Sequence, residues 1–236
     1  MKLLSNVYWD RGNRTVNQDS LVLEQVLTSK GRVLLAAVSD GIGGLAEGEV
    51  ASGFILEKLL TNFYQQILPL IGRGKGQKAI QRSILRCFFE TSEALGKYGA
   101  SKEVSLGATI SLLLLVKNRY LAVHLGDSRI YRLQDKGVKQ ITRDHSQGGN
   151  VINKCLGSFA YQYPDVYTGY IGRKSGFLIC SDGFFHFLQE EKLKEMLSPK
   201  EISGEEQISR RLKELALHNI KQGEQDNISA IYVVCG

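Results

Sequence analysis

Residues 32–41, RVLLAAVSDG, decide the fold because an apolar run ends there in an aspartate followed by glycine. The same construction recurs in residues 121–128, LAVHLGDS, and in residues 177–183, FLICSDG. A buried strand of this kind carries its carboxylate to one end of a sheet, where a small residue lets the backbone turn sharply. The three stretches therefore predict strands that end in three aspartates: Asp40, Asp127 and Asp182.

Other apolar runs with β-branched or alternating residues predict the remaining strands. The full set of predicted strands covers residues 21–26, 32–39, 109–116, 120–125, 129–133, 176–180 and 228–234. Turn-forming residues at 29–31, 117–118 and 135–137 join several of these strands closely. Such short connections favour antiparallel hairpins over parallel strands with long crossovers.

Helical periodicity of apolar residues predicts four helices. They cover residues 49–67, 77–95, 190–197 and 205–219. Hairpin-rich strands with pairs of helices between them indicate an α+β fold rather than a doubly wound parallel sheet. We predict two antiparallel sheets packed face to face, with helices outside them. The pattern leaves open which sheet face each pair of helices covers.

The composition is typical of a single domain, residues 1–236, since no linker or repeat divides the chain. The apolar runs are too short to span a membrane, and residues 1–10 lack the apolar segment of a secretion signal. We therefore expect a cytoplasmic monomer without a membrane partner. The cysteines are far apart, so we expect reduced and mostly buried thiols at Cys87, Cys155, Cys180 and Cys235.

The formal net charge of +6 suggests an anionic partner. However, the Lys and Arg residues are scattered and are not clustered with aromatic residues along one segment. The sequence therefore lacks the pattern of a nucleic-acid-binding surface, and we expect no nucleic-acid partner. Attraction of phosphorylated substrates explains the charge equally well.

Two further carboxylates lie beside predicted strands, Asp19 before the first and Asp226 before the last. Taken singly, an Asp-Gly or Asp-Asn pair is usually an ordinary turn or helix cap. If all five aspartates converge, their mutual repulsion requires neutralisation by protons or cations. Oxygen-rich sites select hard cations such as Mg²⁺ or Mn²⁺, so a metal centre is the simplest interpretation.

Seven short motifs follow one another along nearly the whole chain. They are RTVNQD (14–19), DGIGG (40–44), GAT (107–109), GDSR (126–129), TRDHS (142–146), SDG (181–183) and DN (226–227). Each motif is weak alone, but their joint order and spacing are specific. Together they resemble the metal-dependent protein phosphatase family, type 2C, in its compact bacterial form.

The resemblance implies a sandwich of two antiparallel sheets flanked by helices (αββα), with the metal site at one edge. It implies that Asp40 bridges two Mn²⁺ or Mg²⁺ ions, that the Gly41 carbonyl binds one of them, and that Asp182 and Asp226 complete the other. Asp127 with Asp182 would hold a third, weaker ion. Asp19 is a further candidate ligand, and Arg14 resembles the phosphate clamp of the family.

Such a site implies hydrolysis of phosphoserine and phosphothreonine in proteins, opposing a Ser/Thr kinase. Two cations can convert a shared water into a hydroxide that attacks phosphorus in line with the leaving oxygen. The planar guanidinium of Arg14 suits two phosphate oxygens. Asp40, Asp182 and Arg14 are therefore the candidate catalytic residues.

The sequence also departs from the family pattern. Gln18 occupies a position where many members have glutamate, and Ile42 and Leu45 stand where relatives often carry an ionisable residue, including a histidine proposed as general acid. Residues 147–149 lead directly into residues 150–157, so the flap beside the site is nearly missing. Because loops beside a site often set substrate choice, we expect a different or broader substrate preference.

Two histidines near the motifs are interpreted as structural, His145 in a turn and His124 in a core strand. Two alternative functions stay open. The Gln18 substitution makes a catalytically weak regulator that binds phosphoproteins conceivable. A phosphatase of small phosphate esters shares the same chemistry. The presence of Arg14 and of every expected metal ligand favours the active protein phosphatase.

Overall fold

The computed structural model describes residues 2–42, 45, 47–147 and 151–236, apart from the side chains of residues 147 and 151. Fourteen strands are present in this part of the chain. They are β1 (Leu3–Asp10), β2 (Asp19–Thr28), β3 (Gly31–Asp40), β4 (Gly107–Ala108), β5 (Ile110–Val116), β6 (Arg119–Leu125), β7 (Arg129–Gln134), β8 (Gly137–Gln140), β9 (Ser146–Gln147), β10 (Val151–Ile152), β11 (Leu156–Gly157), β12 (Asp165–Tyr170), β13 (Ser175–Cys180) and β14 (Ile228–Cys235).

The helices are α1 (Gly48–Asn62), α2 (Leu68–Gly72), α3 (Gln77–Lys102), α4 (Asp182–Phe185), α5 (Glu190–Met196) and α6 (Glu205–Lys221). A π-helical turn, Phe63–Ile67, connects α1 to α2, where the sequence predicted one continuous helix. The third helix extends beyond its predicted end and passes Gly99, at which a Cβ atom would lie 2.6 Å from the Val104 carbonyl oxygen.

Two five-stranded sheets dominate the structure. Sheet I has the strand order β12-β6-β5-β3-β2, and sheet II has the order β1-β14-β13-β7-β8. Every neighbouring pair in both sheets is antiparallel. This confirms the predicted α+β sandwich. Two short ladders, β4 with β11 and β9 with β10, lie outside these sheets.

Three apolar layers hold the sheets and helices together. Leu34, Ala36 and Val38 of β3 pack between the sheets against residues such as Ile179 and Ile231 of sheet II. The alternating residues of β3 face α1 and α3 instead. On the far side, β14 packs against α5 and α6 through another set: Ile228, Ala230, Tyr232 and Val234.

The central strands are thus buried on both faces, which explains their nearly continuous apolar sequences. The question that the sequence left open is answered: α1 and α3 cover sheet I, whereas α5 and α6 cover sheet II. None of the helices in the described part of the chain is long and apolar enough to cross a membrane. All four cysteines are free, as predicted, and three of them are buried.

The sequence missed β1, β8 and β12, which lie at sheet edges. Edge strands expose much of their surface, so they do not need a continuous apolar run. In β12, for example, the sequence DVYTGY contains half-buried and exposed residues but no buried one. The edge strand β2 was predicted from its apolar run at residues 21–26, and the other predicted strands lie inside the two sheets, where burial imposes a strong hydrophobic signal.

Candidate metal centre

The ends of strands from both sheets meet at one edge of the sandwich. Asp40 ends β3 and lies directly opposite Asp19, the first residue of β2. Asp127 follows β6 after one glycine. In sheet II, Asp182 follows β13, and Asp226 precedes the antiparallel neighbour β14. The sandwich thereby brings the five predicted carboxylates to the same edge.

The pKa values show that these carboxylates act on one another. Burial raises the pKa of Asp40 well above its usual value, and the charges of the other four aspartates raise it further: Asp19, Asp182, Asp127 and Asp226. Burial, together with the charges of Asp182 and Asp226, also raises the pKa of Asp19 to about 7. A cluster of this kind favours binding of protons or cations.

Asp127 and Asp182 belong to the same electrostatic group. Burial raises the pKa of Asp127 to about 6, and the charge of Asp182 adds to this effect. Burial is also the main reason that the pKa of Asp182 is raised. Both carboxylates are therefore costly to ionise in the protein alone, which is typical of groups whose charge is balanced by a ligand.

Some of the buried oxygens of these carboxylates accept a hydrogen bond and others do not. Asp19 accepts a hydrogen bond at Oδ2 from Ser181 Oγ at 2.8 Å, which links the two sheets. The Oδ1 atoms of Asp19 and Asp127 are buried and have no hydrogen-bond donor among the described residues. Buried oxygens without donors are suitable ligands for hard cations, so this residue set fits Mg²⁺ or Mn²⁺.

The carboxylates have the right chemistry for a hard cation, but in the described part of the chain they are not already arranged as a coordination shell. Within the described ranges, no group of three or more His, Cys, Asp and Glu side chains is close enough to form a ready metal-binding cluster. The aspartates share an edge and an electrostatic environment.

Backbone packing fixes Gly41 beside Asp40. The Gly41 N–H donates to the Gln18 carbonyl oxygen at 3.1 Å. A Cβ atom on Gly41 would lie 2.6 Å from the backbone of Gly48, so a larger residue does not fit there. This close approach accounts for glycine at the position whose carbonyl the sequence proposed as a ligand.

The GAT and GDSR motifs form the support for two of the aspartates. Thr109 Oγ1 accepts a hydrogen bond from the Asp40 N–H at 3.0 Å and lies 2.7 Å from Ser128 Oγ. Gly126 has φ of +112°, and a Cβ there would lie 2.5 Å from Thr109. Thr109 therefore connects the backbone around Asp40 with the turn that carries Asp127.

Arg14 lies at the rim of the cluster. Its Nη2 donates to Asp226 Oδ2 at 2.8 Å, and its side chain is 53% exposed. The hydrogen bond with Asp226 is the main reason that the pKa of Arg14 is raised, and Asp182 and Asp40 contribute. The structure thus places the one predicted cationic residue next to the carboxylates and within reach of solvent.

Asn227 positions the loop that carries Arg14, a role that the sequence did not predict. Its Nδ2 donates to the carbonyl oxygens of Arg11 at 2.8 Å and Val16 at 3.1 Å. Its Oδ1 accepts from the Gln18 N–H at 2.8 Å. The Asp-Asn pair therefore supplies one candidate ligand and one residue that holds the facing loop.

His186 and Glu224 are two further residues that sequence reasoning missed. His186 Nδ1 lies 2.9 Å from Glu224 Oε2, and His186 Nε2 lies 3.5 Å from Asp182 Oδ2. The only signal in the sequence was a histidine four residues after Asp182, a spacing at which side chains meet on a helix.

The structural interpretation of the other two motif histidines is confirmed. His124 is fully buried, with Nδ1 lying 2.9 Å from Ser111 Oγ, and burial lowers its pKa to about 4. His145 accepts a hydrogen bond at Nδ1 from the Gly126 N–H at 3.2 Å. His145 holds the backbone that follows β6, whereas His124 contacts Ser111 of β5 and, through Nε2, the carbonyl oxygen of Arg143 at 3.1 Å.

Two sequence predictions fall partly on residues outside the described ones. Gly43 and Gly44 of the DGIGG motif are among them, and so are residues 148–150 of the shortened flap. Ile42 is described, and its N–H donates to the Gly107 carbonyl oxygen at 3.0 Å. The reduced flap and its effect on substrate choice stay predictions.

The profile of the family described as Protein phosphatase 2C matches residues 10–217, which is most of the chain. The chain belongs to this family. The family assignment confirms the resemblance seen in the motifs and the predicted enzyme class, a protein serine/threonine phosphatase.

Several relatives align with this protein phosphatase 2C chain over most of its length. Serine/threonine phosphatase stp of Listeria innocua is 24% identical over 247 aligned positions, covering 95% of this chain and 92% of the relative. Serine/threonine protein phosphatase PstP of Mycobacterium tuberculosis is 27% identical over 216 positions, covering 84% of this chain and 39% of the relative. These relatives are bacterial, as the compact form of the motifs suggested.

Solved structures have the same fold. Stp1 from Staphylococcus aureus superposes with a TM-score of 0.84 at 22% identity, covering 100% of this chain and 96% of that one. PppA, described as a key regulatory component of T6SS in Pseudomonas aeruginosa, has a TM-score of 0.80 at 25% identity, covering 100% and 99%. The likeness covers both sheets and all the helix pairs.

Proposed function

We propose that this protein phosphatase hydrolyses phosphoserine and phosphothreonine in proteins, using Mn²⁺ or Mg²⁺ held by the buried aspartates. The observation that carries the proposal is the environment of Asp40. Four other carboxylates raise its pKa in addition to the effect of burial. Several mutually repelling carboxylates at a sheet edge are unfavourable without a compensating cation, and hard cations are the natural partners of oxygen ligands.

The proposed ligands follow from their positions. Asp40 is the aspartate whose pKa all four others raise, so it would hold a cation together with the carbonyl of Gly41 beside it. Asp182 and Asp226 come from adjacent strands of sheet II and would hold a second ion; Asp127 with Asp182 would hold a third. Asp19 is the most deeply buried of the group, with 2% exposure, and is a further candidate ligand. When bound, the cations supply positive charge and acidify water for attack on phosphorus.

Arg14 is the proposed phosphate-binding residue. Its guanidinium can donate to two phosphate oxygens at once, and it remains charged at any physiological pH. It is half-exposed at the edge of the carboxylates, so an incoming phosphate can reach it. Its hydrogen bond to Asp226 keeps the side chain directed toward the site.

The substrate class is proposed from the family. The proposed substrates are phosphorylated proteins, and a Ser/Thr kinase would produce them. The kinase partner, the monomeric state and the cytoplasmic location remain predictions. The two alternative functions, a phosphatase of small esters and a phosphoprotein-binding regulator, are outcomes of the experiment below.

The test is hydrolysis of phosphothreonine, phosphoserine and phosphotyrosine peptides and of p-nitrophenyl phosphate, with Mn²⁺, with Mg²⁺ and with chelator. We expect metal-dependent turnover with higher kcat/KM for the phosphothreonine and phosphoserine peptides. Asp182→Asn should abolish it. Asp144→Asn is the matched control, because Asp144 is paired with Arg129 and is not one of the proposed ligands.

Each alternative has its own result. Turnover of p-nitrophenyl phosphate without turnover of any phosphopeptide would favour the small-ester phosphatase. A folded protein that binds phosphopeptide but hydrolyses nothing in either metal would favour the regulator. Undiminished turnover in Asp182→Asn would contradict the proposed metal centre.

A further inference from the structure

Glu224 is a buried carboxylate in the loop between α6 and β14. It is 6% exposed, although it lies next to the protein surface. Its Oε1 accepts hydrogen bonds from the backbone N–H groups of Gln225 at 2.8 Å and Asp226 at 2.9 Å. One oxygen of Glu224 therefore fixes the backbone from which the Asp226 side chain extends.

The second oxygen of Glu224 fixes His186. Oε2 lies 2.9 Å from His186 Nδ1, and because a carboxylate can only accept, the proton belongs on Nδ1. The opposite edge of the ring faces Asp182, with Nε2 at 3.5 Å from Oδ2, a contact that is attractive when Nε2 also carries a proton. One carboxylate thus connects with two proposed ligands, Asp226 through the backbone and Asp182 through an imidazole.

We infer that Glu224 and His186 act as one positioning unit that sets the carboxylates of Asp182 and Asp226 for cation binding. The inference rests on the proposed function, since it concerns the ligands of the proposed metal centre. Residues that orient metal ligands from behind commonly change metal affinity about 10-fold to 100-fold when they are replaced.

A purely structural role explains the pair less well, because other contacts already hold these segments. Asn219, fully buried in α6, donates through Nδ2 to the carbonyl oxygens of Gly183, at 3.1 Å, and Phe184. Its own carbonyl oxygen accepts from the Glu224 N–H at 3.0 Å. The short helix α4 and the loop are therefore anchored without the imidazole of His186.

The solvent exposure of the His186 and Glu224 side chains also supports a positioning role. The His186 side chain is 34% exposed, so its removal leaves no sealed cavity in the core. The Glu224 carboxyl group, by contrast, is buried, and its three hydrogen-bond contacts, to His186 and to the N–H groups of Gln225 and Asp226, offset the cost of that burial. Through these contacts, the buried carboxylate of Glu224 holds the segments that carry Asp182 and Asp226 at a fixed distance from each other.

The test is the dissociation constant of Mn²⁺, measured by calorimetry on the chelator-treated protein, for His186→Ala, Glu224→Gln and the double variant. Glu224→Gln keeps an oxygen for the backbone N–H groups, so it is milder than a truncation. His218→Ala and Glu214→Gln are matched controls on α6. Circular dichroism and thermal midpoints in chelator verify that every variant is folded.

We expect His186→Ala to weaken Mn²⁺ binding about tenfold and Glu224→Gln about threefold, with both controls within twofold of the wild type. In the double variant the loss should not exceed that of His186→Ala by more than about twofold, because both changes interrupt the same path. At saturating Mn²⁺, kcat for a phosphothreonine peptide should fall with little change in KM.

Three results would overturn the inference, and they are distinguishable. Unchanged Mn²⁺ affinity in His186→Ala would show that the imidazole does not position Asp182. Losses that multiply in the double variant would show that the two residues act separately. Absence of Mn²⁺ binding by the wild type would overturn the proposed metal centre and this inference together.

Discussion

Two groups of carboxylates in this protein differ in whether the protein supplies partners for their charge. Asp144, in the TRDHS motif, is paired with Arg129, whose Nη2 lies 2.7 Å from Oδ2, and it also accepts from Gln140 at 2.8 Å. Asp165 accepts from Tyr167 and contacts His145 and Lys154. Although burial acts against it, the hydrogen bond with His145 and the neighbouring charges lower the pKa of Asp165.

The aspartates at the sheet edge have few such partners. Burial and mutual repulsion raise the pKa values of Asp19, Asp40, Asp127 and Asp182, and two of their buried oxygens have no donor among the described residues. The same chain therefore neutralises its structural carboxylates internally and leaves another set to be neutralised from outside. The presence or absence of internal partners therefore separates the candidate ligands from the structural carboxylates, although both occur in the family motifs.

The largest expected effect comes from breaking the unpaired group. Asp40→Asn should lower kcat about 10³-fold or more, because it removes the charge at the centre of the proposed ligands. Asp165→Asn, a paired carboxylate, should lower kcat less than about threefold. Both variants are compared by turnover of a phosphothreonine peptide at saturating Mn²⁺. Similar losses in the two variants would remove the distinction between the groups.

The second prediction concerns how the free energy of unfolding depends on pH when no metal is bound to the aspartates. Asp19 and Asp127 have folded-state pKa values of about 7 and about 6, so between pH 4 and these values the folded chain binds more protons than the unfolded chain. The free energy of unfolding in chelator should therefore be highest near pH 4 to 5 and fall by about 2–4 kcal/mol as the pH passes 7.

Urea denaturation at several pH values, in chelator and in Mn²⁺, measures this effect. The ions compete with protons for the same oxygens, so Mn²⁺ should reduce or reverse the decline. Stability in chelator that rises from pH 5 to pH 8 would contradict the raised pKa values.

Breaking the paired group should have a moderate effect on stability alone. Asp144→Asn removes an ion pair whose side chains are 24% and 27% exposed and should lower the free energy of unfolding by about 2 kcal/mol. Mn²⁺ affinity should stay within twofold of the wild type. A large loss of Mn²⁺ affinity with unchanged stability would place Asp144 in the site instead.

The smallest expected effect concerns Gln18, the departure from the family pattern. Gln18 Nε2 donates to Glu49 Oε2 at 3.3 Å, so Gln18→Glu replaces a hydrogen bond with a repulsion and should destabilise by less than about 1 kcal/mol. Gln25→Glu is the matched control. Its Oε1 already accepts from Arg32 at 2.9 Å, so a negative charge there should be neutral or slightly stabilising. Stabilisation by Gln18→Glu in chelator would contradict the assigned contact.

The sequence predicted those parts of the fold in which burial imposes a pattern. The strands RVLLAAVSD and ISAIYVVC lie between a second sheet and a helix layer, so both faces must be apolar. The edge strands β1, β8 and β12 gave no such signal. The sequence could not assign helix pairs to sheets either, because that depends on which residues of β3 alternate toward the partner sheet.

The site was predictable where a motif places a carboxylate at a strand end, as at Asp40 and Asp182. The opposition of Asp19 and Asp40 requires the register of the β2–β3 hairpin. The contact between His186 and Glu224 joins residues 38 positions apart and could not be inferred from spacing. Long-range polar contacts of this kind leave no periodic trace in the sequence.

The most direct measurement is the free energy of unfolding of Asp40→Asn relative to the wild type at pH 8, in chelator and in saturating Mn²⁺. In chelator the variant should be more stable than the wild type, because the Asp40 carboxyl group, whose pKa is raised well above its usual value, is costlier to bury at pH 8 than a neutral amide. In Mn²⁺ the order should reverse, because the wild type gains the binding energy of the ions and the variant gains less. A variant that is less stable than the wild type in both conditions, by the same amount, would contradict a cluster held for cations.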